Sequence, residues 1–440
     1  MKRFLLLLLA VMMIAGFAAA EGKVHEVSTV AQLQEALANA QDGDTVRLMK
    51  DLTIGKDETL GARDQMYVYN DITLDMNGKT LRDERTRKVE RVINLQPSGS
   101  MSIIGHGRFE NANHDNDFLQ ALGPLFIYSG HFAHDPFTWG DPDCIYKNSE
   151  PAHIGNYRKL GYMISSYING PKGQGYQGYV TVYGGTFDSG VKNPEAVWEA
   201  HGMSANRNKT CYYMYPIINE GNQYAHGVTT YGGTYVTASP ANGEANWMDG
   251  VSIKDPYYLN GQTELFVAPA PYTLTESKGS DNRMRYTLDY PVTLTVLKTL
   301  TNRTDAPTPA LSGFRFELKN TATGKTYSAV SDADGKAVFD LPLENAEDLY
   351  TLREIPGDNP QMLYSDLVYD VKIVPGPREE RYKPVAQLSL NGEVVDSAVF
   401  ETVLMTVPAT GDTQNAPLYA ALLLGSMLAL ILISRKRVHG

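Results

Sequence analysis

Cysteine is scarce: Cys144 and Cys211 are the two in 440 residues. A disulfide-dense scaffold and a four-thiolate zinc site are thereby excluded. Basic residues are in deficit, 39 Lys and Arg against 50 Asp and Glu, for a net charge of −11. Nucleic acid is therefore not an expected partner. Tryptophan is limited to three residues, and phenylalanine, at 13, is half as frequent as tyrosine, at 27. Apolar residues still make up 42%, too many for a disordered chain, and the length allows two or three domains. With 39 glycines, the balance favours strands and turns over helix bundles.

Both ends read as processing signals. Lys2 and Arg3 precede an apolar run from Phe4 to Phe17, and Ala18-Ala19-Ala20 supplies small residues for cleavage. Residues 1–20 are thus expected to be a secretory signal peptide. At the other end, in residues 405–440, Val407-Pro408-Ala409-Thr410-Gly411 is followed by a polar spacer. An apolar run over 416–433 and the bases Arg435, Lys436 and Arg437 come next. That run is long enough for one membrane span, with the basic tail holding its end in the cytoplasm. The three-part end resembles a Gram-positive sortase signal, usually LPxTG, with valine here in place of leucine. The resemblance implies cleavage between Thr410 and Gly411 by a sortase. It also implies transfer of the threonine carboxyl to peptidoglycan or to a pilin subunit. The expected location is the cell wall of a Gram-positive bacterium.

Residues 21–285 are expected to form the first large domain. Ser28 and Thr29 are N-cap candidates for a helix with Val30, Leu33, Ala36, Leu37 and Ala40 on one face, ended by Gly43. Short strands follow, and Asn77-Gly78 marks a turn. A weak repeat closes on Phe109, Phe132, Phe187 and Tyr235, at steps of 23, 55 and 48 residues. The short step suits one coil of a solenoid; the longer ones require extra coils or insertions. The strings DGDTVRLMKDLTI, ITLDMNGKTL and YGGTF resemble the right-handed parallel β-helix domains of bacterial surface proteins, related in shape to pectate lyases. A hairpin-built β-sandwich is the alternative.

Sixteen of the tyrosines and all three tryptophans, Trp139, Trp198 and Trp247, fall within 124–258. These rings suit either a sugar- or protein-binding face or the packing of insertions. Cys144 and Cys211 lie in the same stretch and are a candidate disulfide in an exported protein. His131, His134 and Asp135, with Asp141 and Asp143, form a metal-like string without a recognised ligand spacing, and His114, Asp115 and Asp117 are no more specific. No metal or cofactor is expected.

Residues 286–404 read as a small β-sandwich, with turns at Ala333-Asp334-Gly335 and Asn391-Gly392. Alternation places Val292, Leu294, Val296 and Lys298 on one strand face, and Tyr350, Leu352 and Glu354 on another. The strings VLKTL, GFRFEL, DADGKAVF, YTLREI and YSDLVYDVKIV resemble the isopeptide-containing domain of the streptococcal backbone pilin family. In that family a strand-one lysine attacks an asparagine of the last strand while a glutamate shuttles protons. The resemblance implies those roles for Lys298 and Glu354. The last strand departs from the pattern, with Thr402 where asparagine belongs. Glu401 carries a carboxyl, but period two turns it to the opposite face. No internal cross-link is therefore expected.

The expected fold class is all-β: a right-handed parallel β-helix head followed by a pilin-like, Ig-like sandwich. The expected role is a wall-anchored adhesin or pilin-like protein. Its partners would be sortase, peptidoglycan or pilin subunits, and a host glycan, a matrix protein or another microbe. A wall-attached polysaccharide lyase or glycoside hydrolase is the alternative, and a structural pilin without ligand is the third reading.

Overall fold

The computed structural model describes residues 22–61, 64–85, 91–112, 117–136, 163–167, 176–188, 190, 192, 217–219, 228–236, 252–253, 266–267, 270–281, 283–343 and 346–406. Among these, all regular structure is strand except one α-helix and a short 3-10 turn.

The first unit is built from three sheets that the chain visits in rotation. Sheet A holds seven strands, from Val24–Val27 and Thr45–Leu48 to Val180–Val182 and Val228–Thr230. Sheet B begins with Leu52–Ile54, Thr80–Asp83, Arg108–Asn111, His131–His134, Thr186–Asp188 and Gly233–Val236. Sheet C holds Met66–Val68, Arg91–Leu95, Asp117–Ala121, Ile164–Ser166 and Ile217–Asn219. Each of these strands pairs in parallel with its counterpart one circuit further along the chain.

The repeated aromatics explain why the circuits stay in register. Phe109, Phe132, Phe187 and Tyr235 are all fully buried. They stack face on face, with centroids 4.5, 5.2 and 5.3 Å apart and ring planes within 15°. Neighbouring strands lie about 4.8 Å apart, so one ring per circuit at the same register position must stack. The three strands from His131–His134 to Gly233–Val236 pair directly in succession. The 55- and 48-residue steps are therefore insertions within single circuits, with no extra coil between them. At the entry to each of these strands the chain turns at Gly130, Gly185 and Gly233, with φ of 119°, 104° and 107°. A Cβ on Gly185 would sit 2.9 Å from the Gly130 carbonyl oxygen, so the close approach of successive circuits also demands glycine.

The helix α1, Val30–Asn39, is capped by Thr29, whose hydroxyl accepts the Gln32 N–H at 3.2 Å, while the Gln32 side chain accepts the Ser28 N–H at 2.9 Å. It ends at Ala40, three residues before Gly43. Val30, Leu33 and Leu37 enter the core of the first circuit, which α1 covers. Asn77-Gly78 adopts positive φ at both residues, 48° and 67°. Its flanking strands Ile72–Asp75 and Thr80–Asp83 lie in different sheets, so the turn is a corner rather than a hairpin.

Sheet B is closed by an antiparallel hairpin, Thr273–Lys278 and Met284–Asp289. A boundary at 285/286 would cut the second of these strands. The passage to the next unit is Tyr290-Pro291, immediately before the strand Val292–Asn302.

That second unit is a sandwich of a four-stranded and a six-stranded sheet. Its first strand, Val292–Asn302, runs parallel to its last, Ala398–Leu404. Asn391 and Gly392 form a two-residue hairpin with φ of 54° and 84°. The sandwich core is continuous with Tyr183 and Tyr231 of the first unit. Tyr183 donates its hydroxyl to the Tyr382 carbonyl at 2.7 Å, and Phe126 meets the Tyr382 ring edge-on at 5.0 Å. Arg378 lies over Tyr179 at 4.9 Å. The described tyrosines of the aromatic-rich stretch at this seam thus pack the two units together. Glu347 adds a polar clasp, accepting the Gly105 N–H at 2.7 Å and the Ser129 hydroxyl at 3.0 Å and pairing with His106.

Candidate functional site

Alternation along Val292–Asn302 buries Val292, Leu294, Val296 and Lys298 on one face. The Lys298 side chain therefore enters the sandwich with no exposed surface. From the opposing sheet, Tyr350–Ile355 turns Tyr350, Leu352 and Glu354 inward. The last strand turns Phe400 and Thr402 inward. Lys298 Nζ lies 2.7 Å from Glu354 Oε1 and 2.5 Å from Thr402 Oγ1. The Phe314 ring lies 4.7 Å away. An ammonium has three donors, and here two oxygens and a ring face receive them. Glu354 also accepts the Ser365 N–H at 3.0 Å, and Thr402 Oγ1 is 3.5 Å from its Oε1.

Burial pulls the Lys298 pKa below the ordinary lysine value, and the Glu354 carboxylate opposes that shift. An amine at hydrogen-bond distance from a carboxylate and beside a hydroxyl is arranged as a buried charge-assisted network. Thr402 presents no carbonyl for the amine to attack. Glu401 is exposed on the other face of its strand and hydrogen-bonds Thr301.

The remaining candidates do not converge. In His131–His134 the strand period turns His131 outward, half-buried, and His134 inward, buried. Asp135 is held by Arg82 through two hydrogen bonds of 2.8 and 2.7 Å. Asp117 meets Ser165 at 3.5 Å. No group of three metal-ligating side chains occurs among the described residues. His114, Asp115, Asp141, Asp143, Cys144, Cys211 and all three tryptophans lie outside the described residues, as do Val407, Pro408, Ala409, Thr410, Gly411 and the 416–433 run. Among the described residues no helix is long and apolar enough to cross a membrane.

Alternation along single strands marked the polar members of this network. The Phe314 face and the Ser365 N–H carry no such signal, because both come from loop ends that only the folded chain brings to the pair.

No protein-family model and no curated protein sequence matches the chain. Among solved structures it is similar to the major pilin from Streptococcus pyogenes, at 17% identity and a TM-score of 0.19, over 26% of this chain and 50% of that one. A point mutant of the same pilin gives 18% identity with the same TM-score and coverage. A C-terminal fragment of the pilus adhesin SpaC from Lactobacillus rhamnosus GG gives 14% identity and a TM-score of 0.18, over 32% of this chain and 62% of that one. The match thus spans half the length of the major pilin.

Proposed function

We propose that this chain is a non-enzymatic, cell-wall-anchored surface protein of a Gram-positive bacterium, an adhesin or pilin-like subunit. Its first unit is a right-handed parallel β-helix head, supported by the three parallel sheets that recur in fixed rotation. Its second unit is a pilin-like sandwich in which Lys298 and Glu354 form an ion pair without an isopeptide bond. The observation that carries the reading is the order along the chain. The last sandwich strand ends at Leu404, and Val407-Pro408-Ala409-Thr410-Gly411 begins three residues later. A sortase joining Thr410 to peptidoglycan or a pilin subunit would set the sandwich next to the wall and leave the head outward. Thr410→Ala tests it. Cells carrying the variant should lose the protein from the muramidase-released wall fraction and hold it in the membrane or shed it to the medium. An unchanged wall yield would overturn the proposal.

A further inference from the structure

The outer face of sheet B carries a polar row that the core does not use. Strand pairing sets His131 beside Thr186, Thr186 beside Thr234, Thr234 beside Thr287 and Thr287 beside Thr275. Their side chains recur at the strand spacing of about 4.8 Å. Thr234 and Thr287 share a hydrogen bond of 2.9 Å, and since a hydroxyl carries one donor and two acceptor sites, both retain capacity for a further partner.

This row lines an open cleft of about 550 Å³ at the seam between the head and the sandwich. The volume lies within the range of roughly 300–1,000 Å³ usual for small-molecule sites. Tyr128, Pro342 and Leu343 supply the apolar part of the lining, and Gly184, Gly185 and Gly233 present bare backbone to it.

The charge of the lining narrows the ligand class. It contains no lysine or arginine and a single carboxylate, Asp289, which already accepts the Leu343 N–H at 2.9 Å. Burial, reinforced by the neighbouring Arg108 charge, pushes the His131 pKa down and favours the neutral imidazole, a donor on one nitrogen and an acceptor on the other. A phosphate, sulfate or uronate entering here would give up its hydration and meet no lysine or arginine in the lining, and the guanidinium next along the row, Arg108 beside His131, is already held by Glu110 at 2.8 Å. A neutral polyhydroxyl molecule would meet hydroxyls, an imidazole and a tyrosine, each able to exchange a hydrogen bond for one lost to water.

We propose that the cleft is a binding site for a neutral saccharide, read by the in-register hydroxyls of Thr186, Thr234, Thr287 and Thr275 together with His131. The proposal rests on the surface-adhesin reading for its setting outside the cell, and it names the ligand class that the head would take.

The test is saturation-transfer NMR on the full chain, with lactose, maltose and cellobiose as neutral probes and sialyllactose as the anionic comparator, preceded by a glycan array to widen the neutral set. Transfer to at least one neutral sugar is expected. Thr234→Val with Thr287→Val removes two hydroxyls while keeping strand-forming shape, and should weaken binding about tenfold. Thr275→Arg, on the exposed edge strand, alters the same row where folding is least sensitive and should weaken binding comparably. Binding of no neutral glycan, unchanged affinity in the valine pair or in Thr275→Arg, or preference for sialyllactose would each overturn the proposal. Wall-fraction yield is scored separately. A chain that reaches the wall but binds no neutral glycan refutes the cleft alone, and a sugar-binding chain that is never wall-linked refutes the anchoring alone.

Discussion

Replacing Glu354 by glutamine keeps the side chain's shape and removes the anion facing Lys298. Both side chains have no exposed surface, and their polar atoms are 2.7 Å apart. Removing one partner of a buried pair costs about 3–5 kcal/mol, because the other charge is left without compensation. At roughly 4 °C per kcal/mol for a unit of little more than 100 residues, the melting temperature should fall by roughly 12–20 °C. The double variant Lys298→Met with Glu354→Leu should recover most of that loss, since an apolar pair of similar volume carries no desolvation penalty. The pH dependence gives a second handle. Burial already lowers the Lys298 pKa in the folded state, and removing Glu354 takes away the opposing charge. Below the unfolded lysine value of about 10.4, the unfolded variant then binds more protons than the folded one, so its stability must rise with pH towards that value. Scanning calorimetry from neutral pH upward reads both effects. A Glu354→Gln melting temperature within about 2 °C of the parent would refute the buried-pair argument. So would a parent mass lighter by one water, with the loss abolished by Lys298→Ala.

Thr402→Asn places a carboxamide where the hydroxyl now sits 2.5 Å from Lys298 Nζ. Intact mass should fall by one ammonia and melting should rise, whereas an unchanged mass would show that the site lacks the geometry for reaction. Asp44 accepts the Gln41 N–H at 3.0 Å, the His25 ring at 2.7 Å and the Lys23 N–H at 2.7 Å, which lower its pKa to about 2. A depressed carboxylate stabilises above its unfolded pKa and loses that contribution as pH falls from 3.8 through about 2. Hydrogen-exchange protection at Lys23 and Gln41, relative to the unfolded-chain rate at each pH, should fall across that window, and Asp44→Asn should flatten the dependence. Phe132→Ala opens a gap in the middle of the aromatic stack and should cost about 3–5 kcal/mol in denaturant titrations, far more than Thr80→Ala on the outer face.

Much of this architecture is written in local pattern. The aromatic at the end of each repeat marks the interior of a circuit, because a strand position that recurs every turn must stack on its copies. Period-two alternation separates Lys298 from its exposed neighbour Thr299, and Thr402 from Glu401. Thr29 can be read as a cap because the side chain that satisfies the helix lies within a few residues of it.

Other features depended on which strands become neighbours. Asn77-Gly78 takes the backbone of a hairpin turn yet serves as a corner, since turn geometry is local and the destination of the next strand is set by burial. The repeat steps left extra coils and insertions equally open until His131–His134 paired with Thr186–Asp188. The tyrosines carry no mark of their use, because a ring with a polar tip suits a ligand face and a packed seam alike, and only the approach of Tyr382 decided between them for Tyr183. The same holds for the threonine row: each hydroxyl is an ordinary outward strand residue in sequence, and only the pairing of strands distant along the chain aligns them on one cleft. Short-range sterics and alternation act within a strand and so can be read along the chain, whereas pairing and packing are settled by the burial of distant surfaces against one another.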